Sequence, residues 1–441
     1  MLLLLLLGAI LCIIIGTTKL KIHPFIVLFF VAIVFGLSAQ METSKIIESI
    51  NDGFGKTLGS IGLVIVFGVI MGTFLEKTGA ALRITTSILK LTGPQRVPWA
   101  MAFMGYIISI PVFADSGFVI LNALNKSLSK KAKISMVSTA VALSMGLMAT
   151  HTMVPPTPGP IAAAGIIGAK IGFVIIFGLI ISLLSLIPVV FYCIYIGKKY
   201  YLEAKESDVS LPETPTEQPS LLKSVLPIVI PLLLIVFKSF EEYLQFLPDG
   251  FLKQTVYFIG TPVVALFVGL LLAFLLPKKL EKSMLSSDGW VGSSIRDASE
   301  ILLITGAGGI FGKILQNSGL GDLIGETLSQ YHLGLLLPFI IAATIKTAQG
   351  SSTIGIITAA SIVAPLLPQL GLDTEISKAL VVIAIGAGSA VISHVNDSFF
   401  WVVTQLTGMS LPVGYRSHSA ASALLGFLGL FFSYVFFYVL N

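Results

Sequence analysis

The chain has 441 residues, of which 55% are hydrophobic and 11% charged, and its mean hydropathy is +0.96. A soluble protein of this length needs far more polar surface, so the composition excludes the soluble classes and indicates an integral membrane protein. The net charge of +5 reads as topology and not as nucleic-acid binding, and the two cysteines, Cys12 and Cys193, lie in apolar runs that suggest neither a disulfide framework nor a metal site.

In chain order, the opening MLLLLLLGAILCIIIG lacks a basic n-region and a small-x-small cleavage site, so residues 1–18 are expected to be a retained first span. Further full spans are predicted at 22–39, 57–76, 171–196, 224–240, 255–276, 295–316 and 417–440, each near the ~20 residues that cross roughly 30 Å of hydrocarbon. Residues 97–125 and 335–368 are too short for two crossings and carry FADSG (113–117) and KTAQGSST (346–353) midway. They fit re-entrant hairpins. Residues 134–168 and 379–406 are long for one crossing and are interrupted by HTMVPPTPGP (151–160) and SHVNDS (393–398). They fit broken helices whose gaps are tolerated only inside protein. KESDVSLPETPTEQPSLLKS (205–224) is too rich in proline and charge for a core or a span and is expected to be a flexible loop.

Basic residues orient this layout. With the N-terminus outside, most of the 27 Lys and Arg residues fall in the cytoplasmic segments, including Lys77, Arg83, Lys130, Lys131, Lys198, Lys199, Lys278 and Lys279. The first hairpin then enters from the cytoplasm and the second from outside. The chain also repeats itself: GVIMGTFLEKTG (68–79) aligns without a gap on GGIFGKILQNSG (308–319), and each copy continues as hairpin, broken helix and final span. Opposite orientation makes this an inverted repeat, a signature of transporters. The expected organisation is N-terminal scaffold helices (1–56), a first inverted repeat (57–196), a cytoplasmic linker (197–223), further scaffold helices (224–290) and a second inverted repeat (291–441).

Each polar break supplies a helix start at the midplane, where free N–H groups and the positive end of the dipole attract anions. Ser116 or Gly117 would precede an arm at 118–125, Ser351 and Ser352 an arm from about Ile354, Thr157 with Pro158 is an N-cap followed by proline, and Ser398 can cap FFWVVTQL. If the breaks converge, they form a pocket for a carboxylate bearing hydroxyls, with Asn396, Gln349, Thr353 and Thr157 reading the hydroxyls. The candidate binding residues are Asp115, Ser116, Gly117, His151, Thr157, Lys346, Gln349, Gly350, Ser351, Ser352, Thr353, His394, Asn396 and Ser398. Ionisable groups at membrane depth are expensive unless paired or functional, which makes Asp115, Asp397, His151 and His394 candidates for proton coupling. Each also has a plainer reading: the aspartates as caps, the histidines as bonds to loop backbone, and Lys346 as a partner for an Asp rather than for substrate. For Asp397 an active role is favoured, because Ser398 next door can cap by itself.

On FADSGFVIL (113–121), HTMVPPTPGPIAAA (151–164), IKTAQGSST (345–353) and SHVNDSFFWVV (393–403), the chain resembles the gluconate permease family of the ion-transporter superfamily, over essentially its whole length. The resemblance implies an all-α polytopic elevator-type transporter of the bacterial inner membrane. It implies a homodimer that imports gluconate or a related sugar acid with protons. Related sodium-coupled dicarboxylate carriers bear Ser-Asn-Thr at their hairpin tips. Here the tips read Asp-Ser-Gly and Gln-Gly-Ser-Ser-Thr, which weakens a sodium reading, and no metal or cofactor is expected. The alternatives are a proton- or sodium-coupled carrier of another small hydroxy or amino acid, a channel, or an intramembrane hydrolase pairing Ser351 or Ser389 with His394. The last has weak support, since no HExxH is present.

Overall fold

The computed structural model describes residues 2–92, 96–203, 218–319, 333–394 and 397–440. Among them the chain is helical throughout its regular structure. The first helices are α1 (Leu2–Thr18), α2 (Pro24–Ser38), α3 (Thr43–Lys77) and α4 (Ala80–Thr92). A hairpin follows, α5 (Val97–Ile108) and α6 (Ala114–Ala132), then α7 (Met136–Met153), α8 (Pro158–Ile167) and the long α9 (Ile171–Lys199). After the linker come α10 (Leu221–Leu244), α11 (Phe251–Ile259), α12 (Pro262–Ala273), the short α13 (Lys282–Leu285) and α14 (Trp290–Asn317). The last part holds a second hairpin, α15 (Leu336–Gln349) and α16 (Ser352–Val363), then α17 (Glu375–Ala390), α18 (Ser398–Thr407), α19 (Leu411–Gly414) and α20 (Ala420–Leu440). Five helical stretches among the described residues are long and apolar enough to cross a bilayer, or seven if two bent pairs each count as one span.

Several boundaries differ from the sequence expectation, each for a local reason. The span predicted at 57–76 is the second half of α3, which begins at Thr43 because no proline separates the polar stretch 43–56 from the apolar run, and the helix bends by 43° near the junction without ending. The boundary expected at 56/57 therefore falls inside a helix. The span predicted at 255–276 is two helices bent by 69° between Ile259 and Pro262. There Gly260 lies so close to α10 that a Cβ would stand 2.5 Å from the Lys238 Cβ, and Pro262 can start a helix but not continue one. The arm expected at 118–125 starts at Ala114, so Asp115, Ser116 and Gly117 lie in its first turn. Ser220 caps α10 through Lys223 N, which makes the end of the expected loop 205–224 helical; residues 204–217 of that loop lie outside the described residues. The amphipathic helix α4 was not anticipated.

Packing repeats in the two halves of the chain. The first hairpin arm α5 lies on α7, and α7 on α9, as α15 lies on α17 and α17 on α20. The second arms pair across the halves instead: α8 packs on α16, and α18 on α6. Helices α3 and α14 cross one another closely and present glycines to the remaining helices. A Cβ on Gly72 would stand 2.3 Å from the Pro111 carbonyl oxygen, and one on Gly312 3.0 Å from that of Ser361. Both helices end alike, with Gly79 (φ 73°) and Gly319 (φ 76°) in the left-handed conformation that closes a helix C-terminus.

The α3–α14 crossing is set by Gly53 and Gly309, since a Cβ on Gly309 would lie 2.2 Å from Thr57 Oγ1 and 2.5 Å from the Gly53 carbonyl oxygen. Small residues allow this approach, and overpacking it costs about 1–3 kcal/mol. Gly309→Ala is expected to lower the thermal midpoint of the detergent-purified protein by several degrees. Gly59→Ala, on the facing helix α3 with nothing within 4 Å of its Cβ position, should leave the midpoint unchanged or raised. Equal midpoints for the two variants would refute this account of the crossing.

Candidate functional site

The two hairpin tips and the two helix breaks meet around one cavity of about 250 Å³. The first tip contributes Phe113, Ala114 and Asp115; α7 contributes Met148 and His151. The second tip contributes Gln349, Gly350, Ser351, Ser352 and Thr353, and the second break Asp397, Ser398 and Phe399. Sequence spacing alone separates these residues by up to several hundred positions. The exchange of second arms brings them together, since α8 on α16 and α18 on α6 draw both breaks against both tips.

The local chain explains each position. Gly350 takes φ 92°, a left-handed conformation natural to glycine, and so reverses the chain between α15 and α16. Ser351 then caps α16, its hydroxyl accepting from Ile354 N at 3.4 Å. The first-turn N–H groups of Ser352 and Thr353 have no intrahelical acceptor by geometry and start α16 on the cavity wall. Three polar atoms on the wall are buried without any hydrogen-bond partner: Asp115 Oδ1, His151 Nδ1 and Gln349 Oε1. Buried polar groups are nearly always paired, so an unpaired trio around one cavity makes this wall the candidate site.

Beneath this wall lies a buried ion pair. Lys346 is wholly buried and its Nζ stands 2.6 Å from Asp397 Oδ2. The same oxygen accepts from Ser393 Oγ at 2.5 Å, while Asp397 Oδ1 accepts from Phe399 N at 3.0 Å. Asp397 is therefore the N-cap of α18, and Ser398 is the first helical residue; the expectation that Ser398 would cap in its place is corrected. Ser393 continues inward to His418, whose Nε2 lies 3.1 Å from Ser393 Oγ and whose Nδ1 lies 3.1 Å from Ser144 Oγ.

Of the candidates named from sequence, Asp115, His151, Gln349, Gly350, Ser351, Ser352, Thr353, Asp397 and Ser398 line the cavity. Others do not. Lys346 is committed to Asp397. His394 Nε2 lies 2.8 Å from the Thr347 carbonyl oxygen, tying the second break to α15 rather than meeting Ser351 or Ser389. Thr157 stands at the N-cap of α8 without a side-chain capping bond and donates to the Val154 carbonyl oxygen at 2.5 Å. Gly117 faces Leu147, its Cβ position 2.7 Å from Leu147 Cδ2, and Ser116 is absent from the cavity wall. Asn396 lies outside the described residues. Sequence reasoning missed Met148, Phe113, Ser144 and above all His418. The one available signal for His418 was an imidazole placed inside the apolar C-terminal run, where burial demands partners.

The comparisons with known proteins agree with this architecture. The profile of the GntP family permeases matches residues 1–439. The chain belongs to the GntP permease family. Among relatives, an uncharacterised permease of Haemophilus influenzae is 36% identical over 88% of this chain and 82% of its own. The gluconate permease of Pseudomonas aeruginosa is 33% identical over 94% of this chain and 93% of its own. The D-serine transporter DsdX of Escherichia coli K12 is 32% identical over 96% of both. A solved structure, the YdaH transporter of Alcanivorax borkumensis, matches with a TM-score of 0.59 at 16% identity over 91% of this chain and 90% of that one, a likeness of fold. This permease is accordingly a multi-pass membrane transporter and not an enzyme.

Removing one partner of a buried ion pair strands the other charge and costs about 3–5 kcal/mol, whereas replacing both can be close to neutral. Lys346→Met and Asp397→Asn alone should each lower the thermal midpoint of the purified permease sharply. Because Asn caps a helix about as well as Asp, the double variant should recover most of the loss. Additive losses in a double-mutant cycle would show that the two side chains do not act as a pair.

Proposed function

We infer that this permease imports gluconate or a related sugar acid by proton symport across a bacterial inner membrane. The observation that carries the reading is the cavity itself, where Asp115 Oδ1, His151 Nδ1 and Gln349 Oε1 lack partners beside the start of α16. The two oxygens accept from hydroxyls, and the N–H groups and hydroxyls of Ser351, Ser352 and Thr353 suit a carboxylate. A volume of about 250 Å³ lies just below the roughly 300–1,000 Å³ of pockets for drug-sized ligands, which favours a small metabolite. The gluconate permease among the relatives supports a sugar acid, and the D-serine transporter keeps a small hydroxylated amino acid as the second reading.

Protons suit this chemistry better than sodium. The cavity faces of Asp115 and His151 are free of protein partners, whereas Asp397 is held by Lys346 and His394 by Thr347. Burying an unpaired carboxylate is costly, and taking up a proton is the alternative. Asp115 and His151 thus become the coupling groups at the cavity, and the sequence candidates Asp397 and His394 serve to hold its walls. Movement follows the elevator scheme of an inverted repeat: α3 and α14 are the wall, and the hairpins and broken helices the moving body. Glycines at 68, 72 and 312 meet carbonyl oxygens across this contact and Gly308 meets the Ser361 and Ile357 side chains, so no bulky side chain at these four positions has to unlock for the body to move. A homodimer would anchor the wall through the exposed apolar faces of the remaining scaffold helices.

The permease reconstituted in proteoliposomes should accumulate labelled gluconate, recovered unchanged, when the outside is acidified, and a protonophore should abolish the accumulation. Other hydroxy acids and D-serine, offered as competitors, rank the substrate. Accumulation that follows a sodium gradient and ignores pH would overturn the proton reading; competition by D-serine alone would replace the sugar acid. Asp115→Asn is expected to reduce pH-driven accumulation far more than it reduces counterflow exchange.

A further inference from the structure

His418 is a fully buried imidazole that the cavity does not touch and that sits in a single π-helical turn, Tyr415–Ser419, between α19 and α20. Such turns interrupt the regular helix and recur at functional sites. Its surroundings are apolar and closed, with the Phe399 and Phe400 rings edge-on at 5.6 and 6.0 Å. Its two nitrogens are nevertheless both bonded, and the partners decide how the ring is used.

Ser393 Oγ has one proton, and it donates that proton to Asp397 Oδ2, 2.5 Å away. Ser393 Oγ therefore accepts from His418, and His418 Nε2 carries a hydrogen. On the other side, Ser144 Oγ lies 3.1 Å from His418 Nδ1 and 2.9 Å from the Val141 carbonyl oxygen. This hydroxyl has two acceptors to choose between. With the ring neutral, Ser144 donates to Nδ1. With the ring protonated, Nδ1–H donates to Ser144 Oγ, and the hydroxyl turns to Val141. Both protonation states are fully bonded, and a hydroxyl rotation is the only rearrangement.

The position of the ring links it to the substrate. Ser393 is fastened to the same helix turn, with Ser393 N donating to Ser422 Oγ at 3.0 Å and Ser419 Oγ donating to the Ser393 carbonyl oxygen. From Ser393 the chain of bonds reaches Asp397, which lines the cavity, and Lys346. The charged and titratable groups facing His418 are Asp397 from the second break and Lys346 from α15. From α7 comes the hydroxyl of Ser144, and on its own turn Arg416 points away to Tyr200. Lys346 and Asp397 cancel, so the network is neutral when His418 is neutral and carries +1 when it is protonated.

We propose that His418 is a second proton-holding site of the transport cycle, coupled through Ser393 and the Lys346–Asp397 pair to an anion in the cavity. The proposal rests on the proton-symport reading above. A proton adds to Nδ1 as an N–H bond and leaves from the same atom. The positive network then favours an anionic substrate, and by linkage the substrate favours the proton equally. His418 acts through Asp397 and is thus a positioning residue for charge, without contact to the substrate.

The test compares reconstituted wild type and His418→Gln, with labelled gluconate as probe, in accumulation under an inward proton gradient and in counterflow exchange at symmetric pH. Accumulation should fall at least tenfold more than exchange, and the KM for exchange should lose part of its dependence on pH. Coupled wild type with an equally coupled, equally pH-dependent His418→Gln overturns this proposal alone. Wild type indifferent to protons overturns both this and the symport reading. If His418→Gln does not fold, Ser393→Ala, which severs the link, should show the same loss, and Ser393→Thr, which keeps the hydroxyl, should restore it. Wild-type coupling in Ser393→Ala overturns the link.

Discussion

Helix ends placed inside a membrane protein leave N–H and C=O groups without partners, and hydrocarbon offers none. Among the described residues, two hairpin tips and two breaks interrupt helices in this way, and the structure meets the constraint by packing their arms against one another. The exchange of second arms, α8 onto α16 and α18 onto α6, is the packing that achieves this. Once the interruptions converge, a polar cavity lies at their meeting point. Side chains finish the bonding where the backbone cannot: Ser351 caps α16 and Asp397 caps α18.

The same convergence sets the electrostatics. Asp397 answers the start of α18, Lys346 answers Asp397, and Ser393 bonds the carboxylate from below. A charge introduced to close one helix end therefore requires a second charge and a hydroxyl, each buried and each fixed by the next. That commitment leaves the start of α16 and the atoms Asp115 Oδ1, His151 Nδ1 and Gln349 Oε1 as the part of the cavity wall without internal partners. The wall that faces this body is built differently. Glycines on α3 and α14 let the hairpin backbone approach closely, as at Gly72 against Pro111 and Gly312 against Ser361.

Much of this was legible in the sequence. Composition and run length located the apolar helices, proline, glycine and clustered polar residues located the breaks, and the aligned glycines at 68–79 and 308–319 correspond to α3 and α14, which end on matching left-handed glycines. Helix boundaries were less legible. The start of α3 at Thr43 and the bend before Pro262 depend on what packs alongside, and neither is a hydropathy signal. Within the site, residue type and position marked nine candidates that reach the cavity, while Thr157, Gly117 and His394 occupy equally polar breaks yet point elsewhere.

The sequence by itself determined the solvent, the helical class, the places where helices stop, and the supply of caps and charges at those places. These are local quantities, set by hydropathy over ~20 residues and by the backbone preferences of Pro, Gly, Ser and Asp. Tertiary structure alone decided the roles. Lys346 became a structural cation because Asp397 lies 2.6 Å away. Asp397 became a cap because α18 begins beneath it, and His418 joined the network because a π-helical turn faces Ser393 and Ser144. A charged side chain takes its function from the nearest opposite charge and from the water it loses, and both are fixed only when distant segments pack together.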